Sequence, residues 1–80
     1  MLLALGGVGI TVSADTWDYG YTLGGAYSNY YHESKTHSAT VVNRNTGATS
    51  KDTKTAGAWA RASIGLPLIG GQASFYYNIL

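Results

Sequence analysis

Apolar and polar positions alternate with a period of two along much of the chain, and no ten-residue stretch carries a helical apolar period. Strands with one buried face are therefore the expected elements. The clearest case is Gln72 to Ile79, where Ala73, Phe75, Tyr77 and Ile79 share one face and Gln72, Ser74, Tyr76 and Asn78 the other. Thr36 to Asn43, dense in the β-branched Thr40, Val41 and Val42, predicts a second strand. Asn43-Arg44-Asn45-Thr46-Gly47 then supplies turn chemistry, with Gly47 free to take positive φ at a bulge. The returning strand of that hairpin is Ala48 to Thr53, polar enough for a sheet edge.

Ala58, Ala60, Ala62 and Ile64 alternate with Trp59, Arg61 and Ser63, and small residues opposite large ones suit two closely packed sheets. Which face turns inward stays open here, and a helix over the Ala-rich Thr55 to Ile64 is the alternative. Gly65 to Gly71 reads as a loop around Pro67, with Leu66, Leu68 and Ile69 exposed. Tyr19 to Leu23 and Ala26 to His32 are strands parted by Gly24-Gly25. Five or six strands in this length predict an all-β fold, a small antiparallel β-sandwich.

Residues 1–14 are different. They carry no charge, and Leu2, Leu3, Leu5, Val8, Ile10 and Val12 form an apolar run too short to span a bilayer. The run ends in Val12-Ser13-Ala14, with small residues where signal peptidase needs them, and Asp15-Thr16-Trp17-Asp18 follows at once. The expected division is a signal peptide over 1–14, cleaved between Ala14 and Asp15, and a mature domain over 15–80. The first basic residue is Lys35, so the expected start codon lies upstream of Met1. A buried N-terminal strand is the alternative, weakened by Gly6, Gly7 and Gly9.

Composition narrows the function. The chain has 80 residues, 11% of them charged, and a formal net charge of +1, so no basic stripe exists to neutralise a run of phosphates and no nucleic-acid partner is expected. There is no cysteine, which excludes disulfides, thiolate metal sites and a cysteine nucleophile together. A domain this small buries only about 60% of its unfolded surface, so without crosslinks it must rely on aromatic packing, with dimerisation as a supplement.

The catalytic inventory is thin: Asp15, Asp18, Glu33 and Asp52 with His32 and His37. Ser34 and Ser38 flank His37, but no strained Gly-x-Ser-x-Gly turn presents either of them, so no catalytic residue and no enzyme activity is expected. On one strand, His32 and His37 would face opposite ways, so no metal site or cofactor is expected and both rings are assigned half-exposed hydrogen-bonding roles on a sheet surface. Trp17, Tyr19, Tyr21, Tyr27, Tyr30 and Tyr31 are dense enough to serve either the core or a carbohydrate or membrane surface. Lys35 and His37, two residues apart on one predicted strand face, are placed to meet a phosphate together, with Ser and Thr hydroxyls for a sugar.

Several runs are familiar as a set. Ala26-Tyr27-Ser28-Asn29-Tyr30, Ser34 to Asn43, Asn45-Thr46-Gly47, Lys51-Asp52-Thr53, Ala56-Gly57, Trp59-Ala60 and Ala73-Ser74-Phe75-Tyr76-Tyr77-Asn78, with Trp17 near the mature N-terminus, resemble the lactococcin 972 family of secreted bacteriocins. The resemblance spans nearly all of 15–80. It implies an unmodified extracellular antibacterial protein, exported through a signal peptide, with two three-stranded antiparallel sheets and a homodimeric form. It also implies a ligand and a mode of action: binding of the cell-wall precursor lipid II and a block of septum formation without pores, with a membrane immunity protein and a transporter protecting the producer. Tyr30, Tyr31, Lys35 and His37 are nominated here as the ligand-binding residues. The segment Tyr31-His32-Glu33, the Gly65 to Gly71 loop and the terminal Ile79 and Leu80 depart from the family pattern.

Overall fold

The computed structural model describes residues 14–80, and the expected signal segment, apart from Ala14, lies outside the described residues. Six strands follow one another: β1 (Asp15–Thr22), β2 (Gly25–His32), β3 (His37–Asn43), β4 (Thr49–Lys54), β5 (Trp59–Gly65) and β6 (Ala73–Ile79). They form two three-stranded sheets, ordered β1-β2-β5 and β4-β3-β6. Every pairing is antiparallel. The Ala-rich segment is therefore strand rather than helix, and β4 is an edge as its polarity predicts.

Two features differ from the sequence reading at the N-terminal side. β1 begins at Asp15 rather than Tyr19, because Asp15 to Asp18 pair in register with His32 to Asn29. The ladder runs one residue further still, with the Glu33 amide donating to the Ala14 carbonyl at 3.0 Å.

The turns follow from glycine where the backbone demands it. Gly47 has φ 84° and donates to the Asn43 carbonyl at 2.7 Å, closing the β3–β4 turn. Gly25 is required for a different reason: a Cβ there would sit 2.6 Å from the Ile64 carbonyl oxygen of β5. That close approach lets β2 and β5 pair to their ends.

The core between the sheets is built from small residues around one large ring. Ala26, Val41, Ala62 and Ala73 form one buried cluster, bordered by Ile64, Leu66 and Phe75. Tyr30, Ala39 and Ala60 form the other, bordered by Trp17. β5 thus turns Ala60 and Ala62 inward and Trp59 and Arg61 outward, which settles the face left open by the alternation.

The two sides of the sandwich close by different chemistry. Between β4 and β5, the Asp52 carboxylate accepts from the Arg61 backbone amide at 2.8 Å and from the Lys54 ammonium at 2.7 Å. Between β1 and β6, rings interlock: Trp17 lies edge-on to Tyr77 at 4.8 Å, and Phe75 meets Tyr19 and Tyr21 at 5.2 and 5.5 Å. The Tyr21 hydroxyl takes up both the amide and the carbonyl of Ala73. Beside this seam the Trp17 indole donates to Ser28 Oγ at 3.0 Å, and Ser28 in turn donates to the Tyr76 carbonyl at 3.1 Å. Ser28 is fully buried, and this relay satisfies it while tying one sheet to the other.

Candidate functional site

Because all strands are antiparallel, the chain's chemistry sorts onto two ends and two outer faces. The four nominated ligand residues cluster toward one end, where β2 finishes and β3 begins, but they are not equivalent. Tyr30 is 0% exposed, stacked on Tyr77 at 4.3 Å, and donates its hydroxyl to Asp15 Oδ2 at 2.7 Å. Burial, and then the hydrogen bond and charge of Asp15, push its phenol well above the ordinary tyrosine range.

His37 is also 0% exposed, so the expectation of half-exposed histidines is corrected. Its Nδ1 lies 2.7 Å from the Lys35 carbonyl and its Nε2 2.7 Å from the Ala58 carbonyl. A carbonyl only accepts, so a neutral imidazole satisfies one of these bonds and the doubly protonated ring satisfies both. His32 is buried as well, and its Nδ1 accepts the backbone amides of Ser34 and Lys35 at 3.2 and 3.1 Å. The two rings stand 6.2 Å apart by centroid. The bend through residues 33–36 reverses the chain between the sheets, which is why strand parity alone misjudged them. Lys35 belongs to that bend and is exposed, so it does not share a strand face with His37. Both histidines are organisers of the connection, and among the described residues no group of three or more His, Asp or Glu side chains is arranged to hold a metal ion.

Tyr31 alone of the nominated aromatic residues faces outward, and the structure gives it partners that the sequence did not reveal. It stands directly across from Trp59 on β5, ring centroids 5.5 Å apart. The Arg61 guanidinium lies 5.2 Å from the Trp59 ring centroid. Asn29 sits opposite Arg61 in the same register, and Asp18 opposite Asn29. This outer face of the first sheet is an aromatic platform flanked by a delocalised cation and an amide. Trp59 and Arg61 lie some thirty residues from Tyr31 in sequence, so only the β2–β5 register brings them together.

The opposite end carries a cleft of about 190 Å³ lined by Tyr21, Leu23, Leu66, Pro67 and Leu68 among others. It is bounded by the β1–β2 turn and the β5–β6 loop.

Comparison with known proteins now decides the family. The family model described as Bacteriocin (Lactococcin_972) matches residues 13–77. The chain belongs to the lactococcin 972 bacteriocin family. A solved structure of Lactococcin 972 is similar to it at 59% sequence identity with a TM-score of 0.74, over 82% of this chain and 98% of that one. No curated protein sequence matches the chain significantly. Membership of the lactococcin 972 family agrees with the two three-stranded antiparallel sheets observed here.

Proposed function

We propose that this bacteriocin is secreted and inhibits growth of related Gram-positive bacteria by binding lipid II at the cell surface, blocking septum formation without opening pores. The observation that carries the ligand assignment is the Tyr31–Trp59–Arg61 platform. Aromatic faces stack on the apolar faces of sugar rings, and a guanidinium forks onto phosphate oxygens, which matches the disaccharide and pyrophosphate of such a precursor. Lys35, exposed in the bend after β2, adds a second cation near the same end. Tyr30 and His37 serve this reading from inside, Tyr30 by holding the start of β1 and His37 by holding the bend that carries Lys35. The reading needs no catalysis.

The test is growth inhibition by protein purified from a producing culture, with and without added lipid II. Inhibition abolished by lipid II, and weakened at least tenfold in Arg61→Ala and Trp59→Ala, is the expected result. Inhibition indifferent to lipid II defeats the ligand assignment, and dye release from liposomes at inhibitory concentrations defeats the pore-free mode. The intact mass of the secreted protein reports whether it begins at Asp15.

A further inference from the structure

The strands place three connections at the end opposite the histidines: Leu23-Gly24 between β1 and β2, residues 44–48 between β3 and β4, and residues 66–72 between β5 and β6. Leu23 is 95% exposed, Leu68 74% and Ile69 92%. Large aliphatic side chains are scarce in the described chain, and none of these three is used in the core.

The loops that carry them are firmly joined. The Leu66 amide donates to the Gly24 carbonyl at 2.9 Å, linking the two apolar tips. Asn45 clasps the longer loop from the other side, donating to the Gly70 carbonyl at 3.3 Å and accepting the Gln72 amide at 3.0 Å. The Arg44 amide adds a bond to the Gln72 carbonyl at 2.9 Å. The exposed side chains are therefore presented on a braced platform.

Charge is distributed to match. The three loops at this end contain Arg44 and no carboxylate, whereas Asp15 and Glu33 lie at the other end and Asp18 and Asp52 within strands. Leu23 and Leu68 rim the cleft at this end, yet with Ile69 they project far enough to stay largely exposed, and projecting tips fit a fluid apolar phase better than a folded partner. A lone cation behind them, with no nearby negative charge, complements anionic lipid headgroups.

We propose that this end of the sandwich docks on anionic membrane surfaces, with Leu23, Leu68 and Ile69 entering the headgroup and acyl boundary and Arg44 lying at headgroup level. The contact is shallow, because only side chains enter and backbone groups of the loops keep their internal bonds. It is independent of the lipid II assignment, since it concerns bulk lipid.

The experiment measures partitioning of the secreted protein onto unilamellar vesicles of phosphatidylglycerol and phosphatidylcholine that contain no lipid II. Each fully transferred aliphatic side chain is worth about tenfold in partitioning, so Leu23→Ser/Leu68→Ser/Ile69→Ser is expected to lower it by roughly 100-fold or more. Arg44→Gln is expected to remove part of the dependence on phosphatidylglycerol. In Ile69→Trp, the added indole is expected to shift its emission to the blue on vesicles and to be quenched by acyl-chain bromolipids, with entrapped dye retained. Ile69→Ser alone keeps the test valid if the triple variant does not fold. The proposal is overturned if the wild type does not partition, if the serine variants partition equally, if the residue 69 indole stays in water, or if the substitutions instead abolish self-association in solution.

Discussion

Replacing Tyr30 by Phe isolates one hydrogen bond at the junction between β1 and the core. The ring remains, so its stacking on Tyr77 at 4.3 Å and its edge contact with His37 at 5.6 Å are kept and no cavity opens. What is lost is the 2.7 Å bond to Asp15. Hydrogen bonds to charged groups contribute about 1.5–3 kcal/mol, and Asp15 is only half-buried and regains water, so the low end applies, about 1.5 kcal/mol. For a domain of this size that corresponds to a fall in Tm of roughly 6–12 °C. Tyr30→Ala also removes the ring and is expected to cost about 3–5 kcal/mol. Thermal and urea unfolding of the wild type, Tyr30→Phe, Asp15→Asn and the double variant at pH 7 give the pairwise coupling, expected near 1 kcal/mol. A coupling below about 0.5 kcal/mol would refute the assignment of the Tyr30–Asp15 bond as the anchor of β1.

The same residue makes a pH prediction. Its phenol is raised in the fold, so the unfolded chain releases that proton first, at about pH 10. The contribution is fully present below that pH and is lost as pH rises through the folded value, with a limiting slope of about 1.4 kcal/mol per unit. Tyr30→Phe lacks this share of the alkaline decline, which unfolding midpoints between pH 9 and 11 reveal.

At acid pH the sign reverses for Asp52, whose carboxyl is held below the usual range first by Lys54 and then by the Arg61 amide. Asp52→Asn is expected to destabilise at pH 7 and to lose that deficit as pH falls below about 4, as compared by urea midpoints at both pH values. Gly25→Ala drives a methyl against the Ile64 carbonyl and is expected to cost about 1–3 kcal/mol in urea unfolding, whereas wild-type stability would show that β2 and β5 separate easily there. Ala60→Leu overfills the space beside Tyr30 and Ala39, and a Tm lowered by several degrees is the expected outcome.

Strand existence was legible in the chain because alternation survives wherever one face is apolar, as in Ala73 to Ile79. Orientation was less legible in β5, where inward alanines carry so little apolar area that Trp59 looks the better candidate for burial. The start of β1 was missed because Asp15 and Asp18 are poor strand formers, and the pairing of this segment depends on β2 instead of local propensity. His37 shows a different limit. Its inward parity follows from the strand, but its two carbonyl partners come from separate loops. The outward platform was the least accessible part, since Tyr31, Trp59 and Arg61 meet only through pairing of β2 with β5. Tyr31 was found by its type, and its neighbours required the register.

The ring seam between β1 and β6 sets the order in which this molecule is completed. Trp17, Tyr19 and Tyr21 lie near the start of the described residues and Phe75 and Tyr77 near their end, so their meeting shuts a loop that spans most of the described residues. The β3–β4 hairpin spans a short stretch and can assemble early. A chain emerging from its N-terminus, from a ribosome or through a membrane, leaves the β1 rings without their β6 partners until Phe75 and Tyr77 are out. The sandwich is in this sense fastened by its final strand, and its folding rate should be governed by that late closure more than by the stability of either sheet.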